Sequence, residues 1–158
     1  MGSEIDIGEE YESLREKYNL PLFDKLSEDF DIERISEHKT SFLLREIRKT
    51  IVEKIVGYLH LCENLINPSG PSMLIFSIIR NLKKEDKEMI RETYKELSLV
   101  QIKVMKIDVA YSEKNEADFI KETFEKWQKL KPKLSGLIER FDDSLESEDL
   151  KRTNGYFN

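Results

Sequence analysis

One cysteine, Cys62, and two histidines, His38 and His60, are all that the 158 residues offer as soft or imidazole ligands. A lone cysteine excludes an intrachain disulfide framework and suits a reducing compartment. Its expected role is that of a small buried hydrophobe, because no cationic cluster or helix N-terminus stands beside it to activate the thiol. Zinc ligation needs four clustered Cys or His side chains, or three plus water, and one cysteine with two histidines cannot supply a structural site. The Glu-x-x-His pairs of di-iron bundles are missing as well, since Gly57 stands three residues before His60. Glu53, His60 and Glu63 could meet a divalent ion on a polar stripe, but a solvated histidine beside a carboxylate is the reading that their type favours. His60 and Cys62, two apart on a helix, diverge rather than pair as base and nucleophile. There is no G-x-G-x-x-G and no phosphate-cradling lysine loop. No residue is assigned as catalytic, cofactor-binding or metal-binding, and an enzyme with a carboxylate-only site would rest on the supply of Asp and Glu alone.

Breakers are scarce too, with six glycines and four prolines. That scarcity argues against a sandwich of short strands and for long helices. Long apolar runs are equally absent. The longest, residues 73–79, contains a serine and falls far short of the roughly 20 residues that span a bilayer. Nothing resembles a signal peptide. Met1-Gly2 opens like a myristoylation signal, but Asp6 holds the place that needs Ser or Thr. The expectation is a cytoplasmic protein with no membrane partner and no cofactor.

What the chain has is charge. Charged residues make up 37% and apolar residues 39%, against about 25% and about 45–50% in ordinary domains. Glu (22) and Lys (18) far outnumber Gln and Ala at two each. Such enrichment fits heat adaptation, and an AT-rich genome raises Lys in the same way. Sixteen isoleucines and eight phenylalanines still provide for a core.

Helical spacing runs through most of the chain. Residues 9–18 and 22–30 read as two short helices separated by Asn19-Leu20-Pro21, the second with Leu22, Phe23, Leu26 and Phe30 on one face. Ser36 is the expected cap of a long helix to residue 66, with one apolar stripe through Leu44, Ile47, Ile51, Ile55, Cys62 and Leu65. A second stripe, Val52, Val56, Leu59 and Ile66, widens its arc. Gly57, between the stripes, suggests a close helix approach. Asn67-Pro68-Ser69-Gly70-Pro71 is the clearest break, and the nearly all-apolar segment 72–82 after it reads as a fully buried helix. From Lys84 a helix should reach about residue 110, although Ile102, Val104, Ile107 and Val109 leave a strand open for residues 101–110. Ser112 should cap a last helix whose apolar face ends at Phe141, with Pro132 kinking or dividing it. Residues 142–158 are polar and aperiodic and read as a flexible tail. The adjacent Tyr156 and Phe157 lack the glutamine and spaced aliphatic of sliding-clamp ligands. The expected fold class is therefore all-α. It is a single-domain bundle of five to six helices spanning residues 1–141, long antiparallel helices around a short buried one, with an acidic segment at 9–35 docking on 36–141.

The net charge of −6 is unevenly spread. Residues 1–37 are strongly acidic, residues 38–140 are net basic, and 141–158 are acidic again. Arg45, Arg48 and Lys49 share one side of the long helix by their spacing. Lys126, Lys129, Lys133 and Arg140 line another helix face beside Trp127. Basic stripes with an aromatic suit phosphate backbones and stacked bases, so these eight residues are the candidate polyanion surface. A solvated helix face, with Trp127 in the core, explains them as well, and an isoelectric point near 5.2 is low for a nucleic-acid-binding domain.

The order of a long helix, a Pro/Gly break, a helix start at Asn81-Leu82-Lys83-Lys84-Glu85-Asp86 and a second long helix is loosely similar to the helical domain of GINS replication-scaffold subunits. It covers about residues 38–100. The extra apolar helix at 72–82 departs from that family, and its small β-domain is not visible. The resemblance implies a scaffold. With wide apolar arcs and no chemical site, the expected function is a non-enzymatic interaction module, a scaffold, adaptor or homo-oligomer that binds a protein partner or itself. The alternative is a nucleic-acid-associated module using the basic faces.

Overall fold

A computed structural model describes residues 6–37, 42–70 and 72–155. His38, Tyr156 and Phe157 lie outside the described residues. Six α-helices and one 3-10 helix follow one another with no strand among the described residues, so the fold class is all-α, as the periodicity predicts.

Helix α1 (Ile7–Tyr18) begins where the Asp6 side chain accepts the Gly8 N–H at 3.2 Å, with Glu9 and Glu10 in its first turn. Both features favour the positive end of the helix dipole. It ends at Asn19, which takes the left-handed conformation (φ 54°) that asparagine tolerates. The buried Tyr11 then ties α1 to α2 (Phe23–Phe30): its hydroxyl donates to the Pro21 carbonyl at 2.5 Å, and its ring meets the edge of Phe23. Burial raises the Tyr11 phenol above its ordinary pKa. Leu26 and Phe30 are buried as their spacing requires, whereas Leu22 precedes the first turn, makes no side-chain cap and is exposed. Ser36 does not cap a long helix. It lies in the 3-10 helix Ile32–Glu37, where a three-residue repeat turns Ile32 and Ile35 to the same buried side.

Helices α3 (Leu43–Ile66), α4 (Met73–Asn81), α5 (Lys84–Val109) and α6 (Glu113–Gly155) make up the rest. Ser72 caps α4 by accepting the Ile75 N–H, and Ser112 caps α6 by accepting the Asn115 N–H at 3.1 Å. Pro132 neither ends nor divides α6. A proline inside a helix costs about 3 kcal/mol, but Leu130, Leu134, Leu137 and Phe141 flank it on one buried face. Each such side chain contributes about 1.5–3 kcal/mol on burial, which outweighs the missing hydrogen bond. Residues 142–155, expected as a tail, continue the same helix. No glycine or proline interrupts them before Gly155, and Glu, Asp, Lys and Leu are compatible with a helix even without an apolar period.

The chain divides into two compact units, one of Met1–Gly57 with Leu99–Trp127 and the other of Tyr58–Ser98 with Gln128–Asn158. The first has a core of Tyr11, Leu26, Phe30, Ile32, Ile47, Ile51, Ile55, Ile120 and Trp127, all at most 3% exposed. The second is built on Cys62, Leu65, Ile78, Ile90, Leu137 and Phe141, with Leu61, Ile75 and Met89 packed against them. Burial pushes the Cys62 thiol up to about 11 from an ordinary 9.0. The raised value means that the folded state holds the proton more tightly. Stability from this group is therefore full below about pH 9 and is lost as the pH climbs through about 11. Ellman's reagent at pH 8 should find no reactive thiol in the native protein and one in denaturant; rapid native labelling would contradict the burial.

Gly57 corrects the sequence expectation of a close helix approach. A Cβ at this position would meet nothing within 4 Å. Gly57→Ala should therefore raise stability by about 0.5–1 kcal/mol through helix propensity alone. A loss of stability in urea denaturation would show that something does cover Gly57.

Candidate interaction surfaces

Two charges face inward in the first unit. Arg48 on α3 is 5% exposed and Glu116 in the first turn of α6 is 0% exposed, and Arg48 Nε donates to Glu116 Oε2 at 2.6 Å. Arg48 Nη2 also reaches Asp108 at the end of α5, at 3.0 Å. This pair removes Arg48 from the surface it was expected to share with Arg45 and Lys49. Arg45 lies over the rings of Phe42 (4.8 Å) and Tyr111 (4.2 Å), which meet edge to face. Lys49 is exposed and pairs with Glu46 on its own helix.

The other sequence-predicted residues scatter similarly. Trp127 is 3% exposed, packed against Phe30 and under the Lys54 ammonium, and so cannot stack on a base. Arg140 Nε pairs at 2.5 Å with Asp86, which is nearly buried. Lys126 is half-buried and falls in the first unit, while Lys129 and Lys133 are exposed and fall in the second. These three lysines form no ion pair among the described residues.

The surfaces that stand out are apolar. On α5, Leu97, Val100, Val104 and Ile107 are buried. Leu99, Ile102, Met105 and Val109 are 47%, 47%, 57% and 89% exposed. At about 100° per residue, the second set lies on the opposite side of the helix from the first. Two opposed apolar faces on one helix look like alternation, which is why the sequence of residues 101–110 is compatible with a strand. Helix α4 differs from expectation more sharply, because of its residues only Ile78 is buried. Met73, Leu74 and Phe76 are 73%, 51% and 48% exposed. A nine-residue helix that docks by one stripe leaves its other side in water, however apolar it is.

Beside α1 in the first unit lies an open cavity of about 510 Å³. Leu14, Phe42, Leu43, Leu44 and Tyr111 give it apolar walls, and Glu9, Glu10 and Glu113 stand at it as carboxylates. Glu113 accepts hydrogen bonds from the Tyr18 hydroxyl (2.6 Å) and the Lys17 ammonium (3.2 Å). These contacts hold its carboxyl below the usual range.

Among the described residues no three His, Cys, Asp or Glu side chains gather to hold a metal ion. No described helix is long and apolar enough to cross a membrane. No protein family, curated protein or solved structure matches the chain. The class that fold and surface define is an all-α helical protein with exposed apolar helix faces among the described residues.

Proposed function

We propose that the chain is a non-enzymatic helical interaction module, a cytoplasmic scaffold or adaptor that engages protein through the outward face of α5. The observation that carries this reading is the exposed row Leu99, Ile102, Met105 and Val109, set opposite a face that already satisfies the core. Contiguous apolar rows on a charged surface mark contact sites, whereas single exposed hydrophobes do not. Covering what is exposed on these four residues is worth about 1–2 kcal/mol each, against association costs of about 4–15 kcal/mol. The row is thus the anchor of a larger interface. Ile102→Glu with Met105→Glu leaves the buried face untouched and should keep the helical circular dichroism. Affinity capture from the native lysate should lose those partners that the unchanged protein retains. Identical capture by both proteins would remove the α5 face from the function.

The nucleic-acid alternative retains one specific support, the exposed Lys129 and Lys133. It predicts that Lys129→Glu with Lys133→Glu weakens oligonucleotide binding and lowers the salt slope by about one unit for each phosphate no longer neutralised. Fluorescence anisotropy unchanged by the double reversal would exclude that surface.

A further inference from the structure

The cavity beside α1 and the outer face of α4 have complementary chemistry. The cavity is lined by apolar side chains, among them Leu14, Phe42 and Tyr111, together with the acidic Glu9, Glu10 and Glu113. The outer face of α4 is apolar, with Met73, Leu74 and Phe76 exposed, and Arg80 follows Phe76 by one helical turn. Lys83 and Lys84 come next, both at least partly exposed, and residues 64–84 contain no acid at all in a chain with 32 of them. Met, aromatic and Arg side chains, which the exposed side of α4 carries, are enriched at interface centres. A volume near 510 Å³ falls within the ~300–1,000 Å³ range of sites that enclose small groups.

We infer that the chain associates with itself head to tail, the outer face of α4 on one molecule seating in the acidic-edged cavity beside α1 on a second copy. The inference rests on the interaction-module reading and names one partner for it. A symmetric contact is disfavoured on either side. Helix α4 against α4 would bring two basic segments into one interface, and cavity against cavity would bring together the carboxylates of two rims, and like net charge across an interface repels. The heterologous arrangement satisfies both ends and leaves one free helix and one free cavity on every assembly that does not close into a ring. Glu113 is already paired with Lys17, so Glu9 and Glu10 carry the acidic edge. Arg45, stacked on Phe42 and Tyr111, holds the two rings.

Sedimentation velocity of the full chain over a concentration series tests this. The expected result is an average mass that rises with concentration and falls with added salt. Met73→Ser with Phe76→Ser, and separately Glu9→Lys with Glu10→Lys, should each give a monomer at every concentration with unchanged helical circular dichroism. An equimolar mixture of the two should form a dimer, because one supplies an intact cavity and the other an intact helix. The α5 variant Ile102→Glu with Met105→Glu should associate like the unchanged protein. A monomeric unchanged chain, a mixture that stays monomeric, or a variant that still associates alone would each overturn the inference. Loss of association only in the α5 variant would overturn it in favour of an α5 dimer. If the unchanged chain is monomeric while capture still depends on α5, this contact falls and the interaction module stands. Recovery of the unchanged monomer on anionic vesicles through Phe76 would likewise replace the second copy with a membrane surface.

Discussion

Glu116→Ala should destabilise the protein by about 3–5 kcal/mol, a large part of a typical total of about 5–15 kcal/mol. The cost comes less from losing attraction than from leaving the Arg48 guanidinium in a site where it is 5% exposed. Its remaining partner, Asp108, is mostly in water and compensates only partly. The reciprocal change, Arg48→Met, should cost at least as much. It leaves Glu116 at 0% exposure with no cation, whereas the Asp108 it also releases is already solvated. Glu116 Oε1 has no hydrogen-bond partner among the described residues, so the pair is incompletely satisfied as it stands. For that reason Arg48→Met combined with Glu116→Leu should recover most of the loss and come out near neutral, as paired apolar replacements of buried ions often do. Urea denaturation of the three variants, closed as a double-mutant cycle, measures this directly. Single changes costing under about 1 kcal/mol would place the pair with exposed ion pairs and contradict its burial.

The Arg48–Glu116 pair also shows where the sequence was legible and where it was not. The spacing of Leu44, Ile47, Ile51 and Ile55 made α3 readable, and the same logic placed Phe30, Leu130 and Phe141 in cores. Arg48, however, stands four residues after Leu44, three before Ile51 and seven before Ile55, inside the buried stripe. Glu116 stands the same way before Ile120 and Trp127. Charge suggested surface, while position indicated interior, and the period of the helix was the stronger signal because a buried side chain follows the packing face whatever its type. Helix α4 fails in the opposite direction. Hydrophobicity states what water disfavours, but coverage depends on how many neighbours reach a nine-residue helix, and that is a property of the whole fold. The cavity beside α1 is illegible for a related reason. Its walls come from α1, from the start of α3 and from Tyr111 and Glu113, positions that no local period connects.

Trp127→Ala should be as costly as the broken ion pair, about 3–5 kcal/mol, for a different reason. The indole is 3% exposed, with the Phe30 ring centroid at 5.8 Å and the Lys54 ammonium 5.2 Å from the indole centroid. Truncation removes the largest apolar surface available to one residue and leaves a cavity between α2, α3 and α6 that neighbouring rings cannot fill without moving. Trp127→Phe keeps an aromatic against Phe30 and should retain most of the stability. Lys54→Met keeps an apolar stem over both rings and loses only the cation–ring attraction and the hydrogen bond to the Asp29 carbonyl, about 1–2 kcal/mol together. The same residue decides between the two surfaces considered for the chain. A tryptophan in the core emits as a buried indole, resists quenching by iodide, and does not respond when single-stranded oligonucleotide is titrated in. A tryptophan that stacks on bases is quenched by them and costs little to truncate. Stability and emission must therefore change together, and a well-tolerated Trp127→Ala with base-quenched emission in the unchanged protein would return Trp127 to the surface and restore the polyanion reading.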